Sequence, residues 1–298
     1  MIRVANAPCS WGALEFDVGA AATWDRVLDE IAGTGYAGTE LGDWGFMPPD
    51  PARLRDELDS RGLELLGAFV PAALWRPESH DAAVEIAMRT ARLLDAVSRD
   101  RPVIVLSDDN ASVPFRAERA GRVRREDGLN PAQWACFAEG ATRLARSVRD
   151  ETGLRTVFHP HCGGYVEAPW EIDDLMGRTD SDVLGLCLDT GHITFGGGQP
   201  EEVFARYASR VWHVHFKDCE PAVASRARAE GWDYLRAVRE GVFCELGKGS
   251  VDFRRVADGL QLGGYDGWIV VEQDVLPGMG DPAESAVRNR SYLRQLGI

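Results

Sequence analysis

The chain has 298 residues, 45% of them hydrophobic and 27% charged, with 33 basic side chains against 47 acidic ones. The net charge of -14 argues against nucleic acid or an anionic membrane surface as a partner, and the lack of any apolar run of about 18 residues or of a basic-then-apolar leader excludes a membrane span and a signal peptide from the reading. Six cysteines, scattered singly with no CxxC pair, fit the reduced thiols of a cytoplasmic protein better than a disulfide framework or a zinc-thiolate centre.

Along the chain, apolar runs that read as strands fall near 3–9, 36–41, 63–70, 102–107, 154–159, 183–189, 211–217 and 267–272. Segments with helical periodicity lie between them. Trp24, Val27, Leu28 and Ile31 share a face behind a Thr23 cap. Leu54 and Leu58 follow a Pro49-Asp50-Pro51 start. Ala87, Ala91, Leu94 and Val97 predict a third helix, and Trp134, Phe137, Ala141, Leu144 and Val148 a fourth. Later helices are expected over 169–177, 200–208, 252–263 and 282–296. Eight β/α alternations predict an α/β fold, a (β/α)8 TIM barrel over residues 1–298 as a single domain. A doubly wound sheet would carry a glycine-rich GxGxxG turn after its first strand, and the segment CSWGALEF (9–16) has none. The widest irregular stretches, 108–130 and 218–251, follow the fourth and seventh strands and are expected at the catalytic face as lids or substrate loops. The basic cluster within 116–125 is short and interrupted, a weak anion-binding signal.

Four of the apolar runs end in polar, metal-capable residues: TVFHPH (156–161), GLCLDTGH (185–192), VWHVHFKD (211–218) and WIVVEQD (268–274). Parallel strands present ligands at their C-terminal ends, and a closed barrel brings those ends together. Period-two alternation puts His213, His215 and Lys217 on one face, His159 and His161 on one face, and Cys187 and Asp189 on one face. Three ionisable groups on one face of a buried strand point to function rather than packing, although an Asp at a strand end also caps turns. Carboxylates with imidazole suit Mn²⁺, Mg²⁺, Co²⁺ or Fe²⁺, with Zn²⁺ open, and a divalent cation would offset the mutual repulsion of buried carboxylates. In ELGKGSVDF (245–253), Gly247 and Gly249 fit either a tight turn or a phosphate cradle. Trp11, Trp44 and Trp75 fit either the apolar wall of a sugar-ring site or ordinary packing.

The ordered motifs NAPCSWG (6–12), GTELG (38–42), HPHCGGYVE (159–167), LDTGH (188–192), HVHFKD (213–218), ELGKGSVDF (245–253) and GYDGWIVVEQD (264–274) resemble the xylose-isomerase-like barrel superfamily, and within it the inosose dehydratase group of inositol catabolism. The resemblance spans nearly the whole chain. It implies a metal site with one ligand from the region after each of the last four strands, carried here by Glu167, Asp189, His215 and Glu272. Many superfamily members carry Glu where this chain has His159, so His159 and His161 stay open as a ligand or as an acid/base. The group's pattern reads HPHxGTxVE, and this chain departs from it with Gly164 in place of the Thr. By the same resemblance Glu40 and Lys217 become substrate contacts.

The expected catalytic set is His161, Glu167, Glu272 and Lys217; the expected substrate contacts are Glu40, Trp11, Trp75, His159, His192, His213 and Lys217. The expected activity is metal-dependent dehydration of a keto-cyclitol such as 2-keto-myo-inositol, with Mn²⁺ or Co²⁺ as cofactor. A ketone beside a bound metal has an acidified C–H, whose loss gives an enediolate. His161 or a Glu at the metal edge would take that proton, and His161 or Lys217 would protonate the departing hydroxyl. A ketose or inosose isomerase or epimerase shares the metal and the first step. A phosphodiester-cleaving barrel would need a basic surface, and a binding-only barrel would not keep a full ligand set. The expected partner is a small polyol or keto-sugar, and a homo-oligomer stays open.

Overall fold

The computed structural model describes residues 2–13, 22–110 and 113–298. The last three residues of CSWGALEF, and 111–112 within the 108–130 stretch, lie outside them. The strands in chain order are β1 Arg3–Asn6, β2 Gly38–Thr39, β3 Glu64–Leu65, β4 Gly67–Ala72, β5 Val103–Asp108, β6 Arg155–Phe158, β7 Leu184–Asp189, β8 Val211–Phe216, β9 Asp218–Cys219, β10 Phe243–Cys244 and β11 Trp268–Val271. Nine of them form one sheet, ordered β3-β2-β1-β11-β8-β7-β6-β5-β4, parallel throughout.

The sheet closes at Leu66. The third apolar run breaks there into β3, which pairs with β2, and β4, which pairs with β5. The Leu66 amide donates to Thr39 O (3.0 Å) on one side, while its carbonyl accepts from Val103 N (2.9 Å) on the other. Eight predicted staves thus become a closed (β/α)8 TIM barrel with its third stave split.

Alternation along the strands sorts two cores. Leu184, Leu186 and Leu188 of β7 face out and join the large cluster under the helices, with Leu28, Ile31, Leu94, Phe137 and Leu144. Cys187 faces in, packed with Val103, Val105 and Val157. The predicted helices appear at Trp24–Gly33, Pro51–Asp59, His80–Val97, Pro131–Thr152, Pro169–Arg178, Pro200–Tyr207, Phe253–Leu262 and Pro282–Gln295. Asp50 caps the second of these by accepting from Arg53 N. Thr23 sits at the first helix's N-cap without a side-chain cap bond.

Two expectations change here. The stretches 108–130 and 218–251 are not irregular: they carry helices Pro114–Glu118, Pro221–Glu230 and Tyr234–Arg239 and the antiparallel pair β9–β10. The basic cluster within 116–125 is broken up: Arg116 is fully buried against Glu171 and Arg122 donates to Trp232 O, while Arg124 and Arg125 stay exposed.

Candidate active site

The chemistry-bearing groups stand at the C-terminal ends of β6, β7, β8 and β11. A register shift between Leu186 and Cys187 sets Asp189 opposite His215, an irregularity that re-aims a side chain as bulges do. Gly185 accommodates it: a Cβ there would lie 2.3 Å from the Trp212 ring. On the other flank Val270 pairs with His215, which carries Glu272 to the level of Lys217.

One ligand atom each from His159, Asp189, His215 and Glu272 falls within 4.8 Å of the others, all four residues buried. His159 Nε2 lies 3.4 Å from Asp189 Oδ2, and His215 Nδ1 lies 3.7 Å from Asp189 Oδ2 and 3.2 Å from Glu272 Oε1. Glu40, at the end of β2, takes the far side of the imidazole: His215 Nε2–H donates to its Oε1 at 3.0 Å, and His213 Nε2–H donates to the same oxygen at 2.6 Å. With Nε2 held by Glu40, Nδ1 is the nitrogen turned toward the carboxylates, the one that would ligate a cation on losing its proton. This Nδ1 is buried and without a hydrogen-bond partner among the described residues, the orphan that a cation would satisfy.

Charge points the same way. Lys217 Nζ contacts Glu272 Oε2 (3.2 Å) and Asp274 Oδ1 (3.0 Å). The carboxylates Glu40, Asp189, Glu272 and Asp274 therefore face one ammonium and a set of imidazoles. Burial opposes charge on His215, yet Glu272 and Glu40 outweigh it and raise the imidazolium well above its ordinary range. Burial likewise pushes the Glu40 carboxyl up, but His215 and His213 prevail and hold it down at about 2. The cluster is short of positive charge, and two imidazoles with two carboxylates form a donor set that could bind a divalent metal.

Glu167 does not join them. Its carboxylate accepts from Gly121 N (2.7 Å) and Gly163 N (2.9 Å), and burial, against the pull of Arg116, raises it to about 7. The residue in its expected place is His159, at the end of β6, which motif spacing alone did not choose.

The cavity in front of the cluster is lined by Glu40, His159, His161, His215, Lys217, Glu272 and Asp274 together with Cys9, Asp43, Phe69 and Tyr234. Trp11 and Trp75 lie outside this lining. Trp11 is buried with its indole N–H on Glu30 Oε2 (2.6 Å), and Trp75 packs edge-on against Tyr165. Trp44 stacks under Arg89. The aromatic walls are Phe69 and Tyr234 instead. Tyr234 comes from the long segment after β8, where no local pattern separated a wall residue from a helix residue. His213 and His192 sit behind the lining, His213 on Glu40 and His192 with Nε2 3.4 Å from Lys217 Nζ.

The Gly247/Gly249 turn is not open to phosphate. Asp218 fills it: its Oδ2 accepts from Gly247 N (2.8 Å) and Gly249 N (2.9 Å), and its Oδ1 from Val251 N (3.1 Å) and Cys219 N (2.8 Å). A Cβ on Gly249 would come within 2.3 Å of that carboxylate.

The model of the xylose isomerase-like TIM barrel family matches residues 28–296. An inosose dehydratase from Lacticaseibacillus casei is 33% identical over 294 residues, covering 98% of this chain and 96% of that one. One from Bacillus licheniformis is 33% identical over 288 residues, covering 96% and 93%. Among solved structures, a probable 3-DHS dehydratase from Bacillus anthracis superposes with a TM-score of 0.72 at 14% identity, covering 99% of each chain. An L-ribulose 3-epimerase gives 0.69 at 17% identity, covering 99% and 94%. Among the described residues no helix is long and apolar enough to cross a membrane.

Proposed function

The chain belongs to the xylose isomerase-like TIM barrel family, and from that premise we propose that it is a metal-dependent dehydratase of a keto-cyclitol of the inosose type. The observation that carries the reading is the four-residue donor set beside a cavity with Lys217 and His161 in its wall, in a chain similar over nearly its full length to inosose dehydratases.

His159, Asp189, His215 and Glu272 would hold the ion, Mn²⁺ or Co²⁺ by preference, and Glu40 would orient His215 behind it, a carboxylate–histidine arrangement that raises ligand basicity. A divalent ion there supplies Lewis acidity, polarising a ketone and acidifying the neighbouring C–H. His161 takes the proton from the carbon beside the ketone, and the C–H pair becomes the new C=C of an enediolate. Lys217, held between Glu272 and Asp274, gives a proton to the β-hydroxyl, which leaves as water with its bonding pair. The hydroxyl left on the new double bond makes the product an enol, whose tautomer is a 1,2-diketone. Phe69 and Tyr234 flank the ring, and Glu40, His159 and Lys217 are the substrate-facing polar groups.

Substrate deuterated on the carbon beside the ketone is expected to react more slowly and to lose its label to solvent. Product of lower mass by one water, seen by NMR as a diketone, supports the dehydratase. Label loss with retained mass makes the protein an isomerase or epimerase, the chemistry of the epimerase neighbours. Label kept at its original carbon sinks the enediolate route.

Glu40→Gln tests the orienting role. Loss of the charge behind His215 is expected to weaken Mn²⁺ binding by about 10–100-fold, read by calorimetric titration of the metal-free protein. Unchanged affinity would reduce Glu40 to a substrate contact.

A further inference from the structure

His161, in the cavity wall, and His192, behind it, stack with ring centroids 3.8 Å apart and planes inclined by 34°. The backbone of one residue, Cys162, reads both. The Cys162 carbonyl lies 2.8 Å from His161 Nδ1, and the Cys162 N–H donates to His192 Nδ1 at 3.1 Å. A carbonyl only accepts and a peptide N–H only donates. His161 therefore carries its proton on Nδ1, leaving the Nε2 lone pair, 3.5 Å from the Tyr234 hydroxyl, and His192 carries its proton on Nε2, so that its 3.4 Å approach to Lys217 Nζ is a contact between two donors and not a hydrogen bond. The same residue sets opposite tautomers in the two rings.

A second neighbour must agree with this assignment. Asn110 Nδ2 sits 2.8 Å from His161 Nδ1, which would bring two N–H groups together. If Nδ1 were instead a lone pair, the Cys162 carbonyl would face it at 2.8 Å, an equal conflict. The peptide carbonyl cannot exchange its ends; a side-chain amide exchanges them by a half-turn that leaves its shape almost unchanged. As placed, moreover, the buried Asn110 Oδ1 has no donor among the described residues. The half-turn brings Oδ1 onto the Nδ1–H and sends Nδ2 to the side of Gly164 where Asp108 Oδ2 also lies.

We propose that Asn110 is a positioning residue that, with the Cys162 carbonyl, holds His161 as the Nδ1–H tautomer by accepting a hydrogen bond from it on Oδ1, so that Nε2 faces the cavity as a proton acceptor. This rests on the dehydratase reading for what Nε2 does, but not for where the proton sits. A Cβ at Gly164 would come within 2.6 Å of the Asn110 amide and 3.1 Å of Asp108 Oδ2, so any side chain there would push the amide off His161.

Imidazole ¹⁵N spectra of the substrate-free, metal-free protein test the tautomers directly, with signals assigned by His161→Gln and His192→Gln. Expected are a protonated Nδ1 on His161 and a protonated Nε2 on His192. A proton on Nε2 of His161 overturns the proposal whatever the substrate proves to be. In turnover, Asn110→Leu is expected to lower kcat by roughly tenfold or more, with KM and Mn²⁺ affinity nearly unchanged and the His161 spectrum shifted toward the other tautomer. Gly164→Ala displaces the amide without removing it and is expected to do the same. In an Asn110→Leu background it should then cost little more, a non-additivity that marks a shared action. Wild-type kcat and an unmoved His161 spectrum in both single variants overturn the role of Asn110, while a wild-type protein that shows the expected tautomers yet fails the deuterium test leaves the positioning intact and overturns only the dehydratase reading.

Discussion

Glu272→Gln is expected to lower kcat by about 10²–10⁴-fold, the equivalent of several kcal/mol of lost Lewis-acid stabilisation, while the melting temperature stays near that of the parent protein. The expectation follows from what the carboxylate touches. Oε1 stands 3.2 Å from the unpartnered His215 Nδ1 and Oε2 stands 3.2 Å from Lys217 Nζ, so one side chain joins the proposed metal ligands to the proposed acid. Burial would raise its carboxyl, but His215 and Lys217 outweigh burial and hold it well below the usual carboxylate range. It is an anion at every pH at which the enzyme would work. An amide keeps the shape and loses the charge, leaving Lys217 with Asp274 alone. Metal content by mass spectrometry and steady-state kinetics on the same sample check it. Parent-like turnover by a variant that still binds metal would remove Glu272 from both roles.

The barrel was legible because its strands are buried on both faces and so read as nearly unbroken apolar runs. The one break, at Leu66, was not. Nothing in a continuous run such as 63–70 records that its two halves hydrogen-bond to different neighbours, since that is a property of closure. In the site, Asp189, His215 and Glu272 were readable from strand ends and period two, and the structure brings them together. Glu167 lies beyond the strand end, in a loop whose path alternation does not describe. Its hydrogen bonds to the amides of Gly121 and Gly163 come from a segment more than forty residues upstream and from its own loop, and no local pattern encodes that meeting. His159 satisfies the same strand-end rule as the others, whereas the resemblance points to Glu167. The phosphate option at Gly247 and Gly249 failed for a similar reason: the anion that fills the turn is the carboxylate of Asp218, at the end of a different strand. Trp11 and Trp75, expected as substrate contacts, lie outside the cavity lining, because an aromatic residue after a strand looks the same in sequence whether it packs outward or lines a cavity.

The largest stability loss is expected away from the cavity, at the buried pair Arg116–Glu171. Both side chains are fully buried, with Nη2 and Oε2 2.9 Å apart. Arg116 also donates from Nε to Gly164 O (2.9 Å) and from Nη1 to Asp127 O (3.2 Å). Glu171 Oε2 accepts from the amides of Glu167 (2.9 Å) and Ala168 (3.0 Å). The pair thus ties the segment after β5 to the loop after β6, which carries His161 and Gly164. Removing one partner leaves a charge in a dry interior with its hydrogen bonds unmade, and Arg116→Ala or Glu171→Ala is expected to cost about 3–5 kcal/mol, a fall in Tm on the order of 10 °C. Lys at 116 should not rescue, because an ammonium cannot reproduce the planar fork that reaches three acceptors. Arg116→Met with Glu171→Leu should recover part of the loss, since apolar groups of similar volume leave no uncompensated charge. Turnover should stay low in that double variant even where Tm recovers, because the loop bearing His161 has lost its tie to the segment bearing Asn110. Calorimetric melting beside kinetics separates the two effects: single variants that melt with the parent protein would show that the pair is solvated or dispensable, and a double variant with parent-like turnover would show that the loop holds its shape without it.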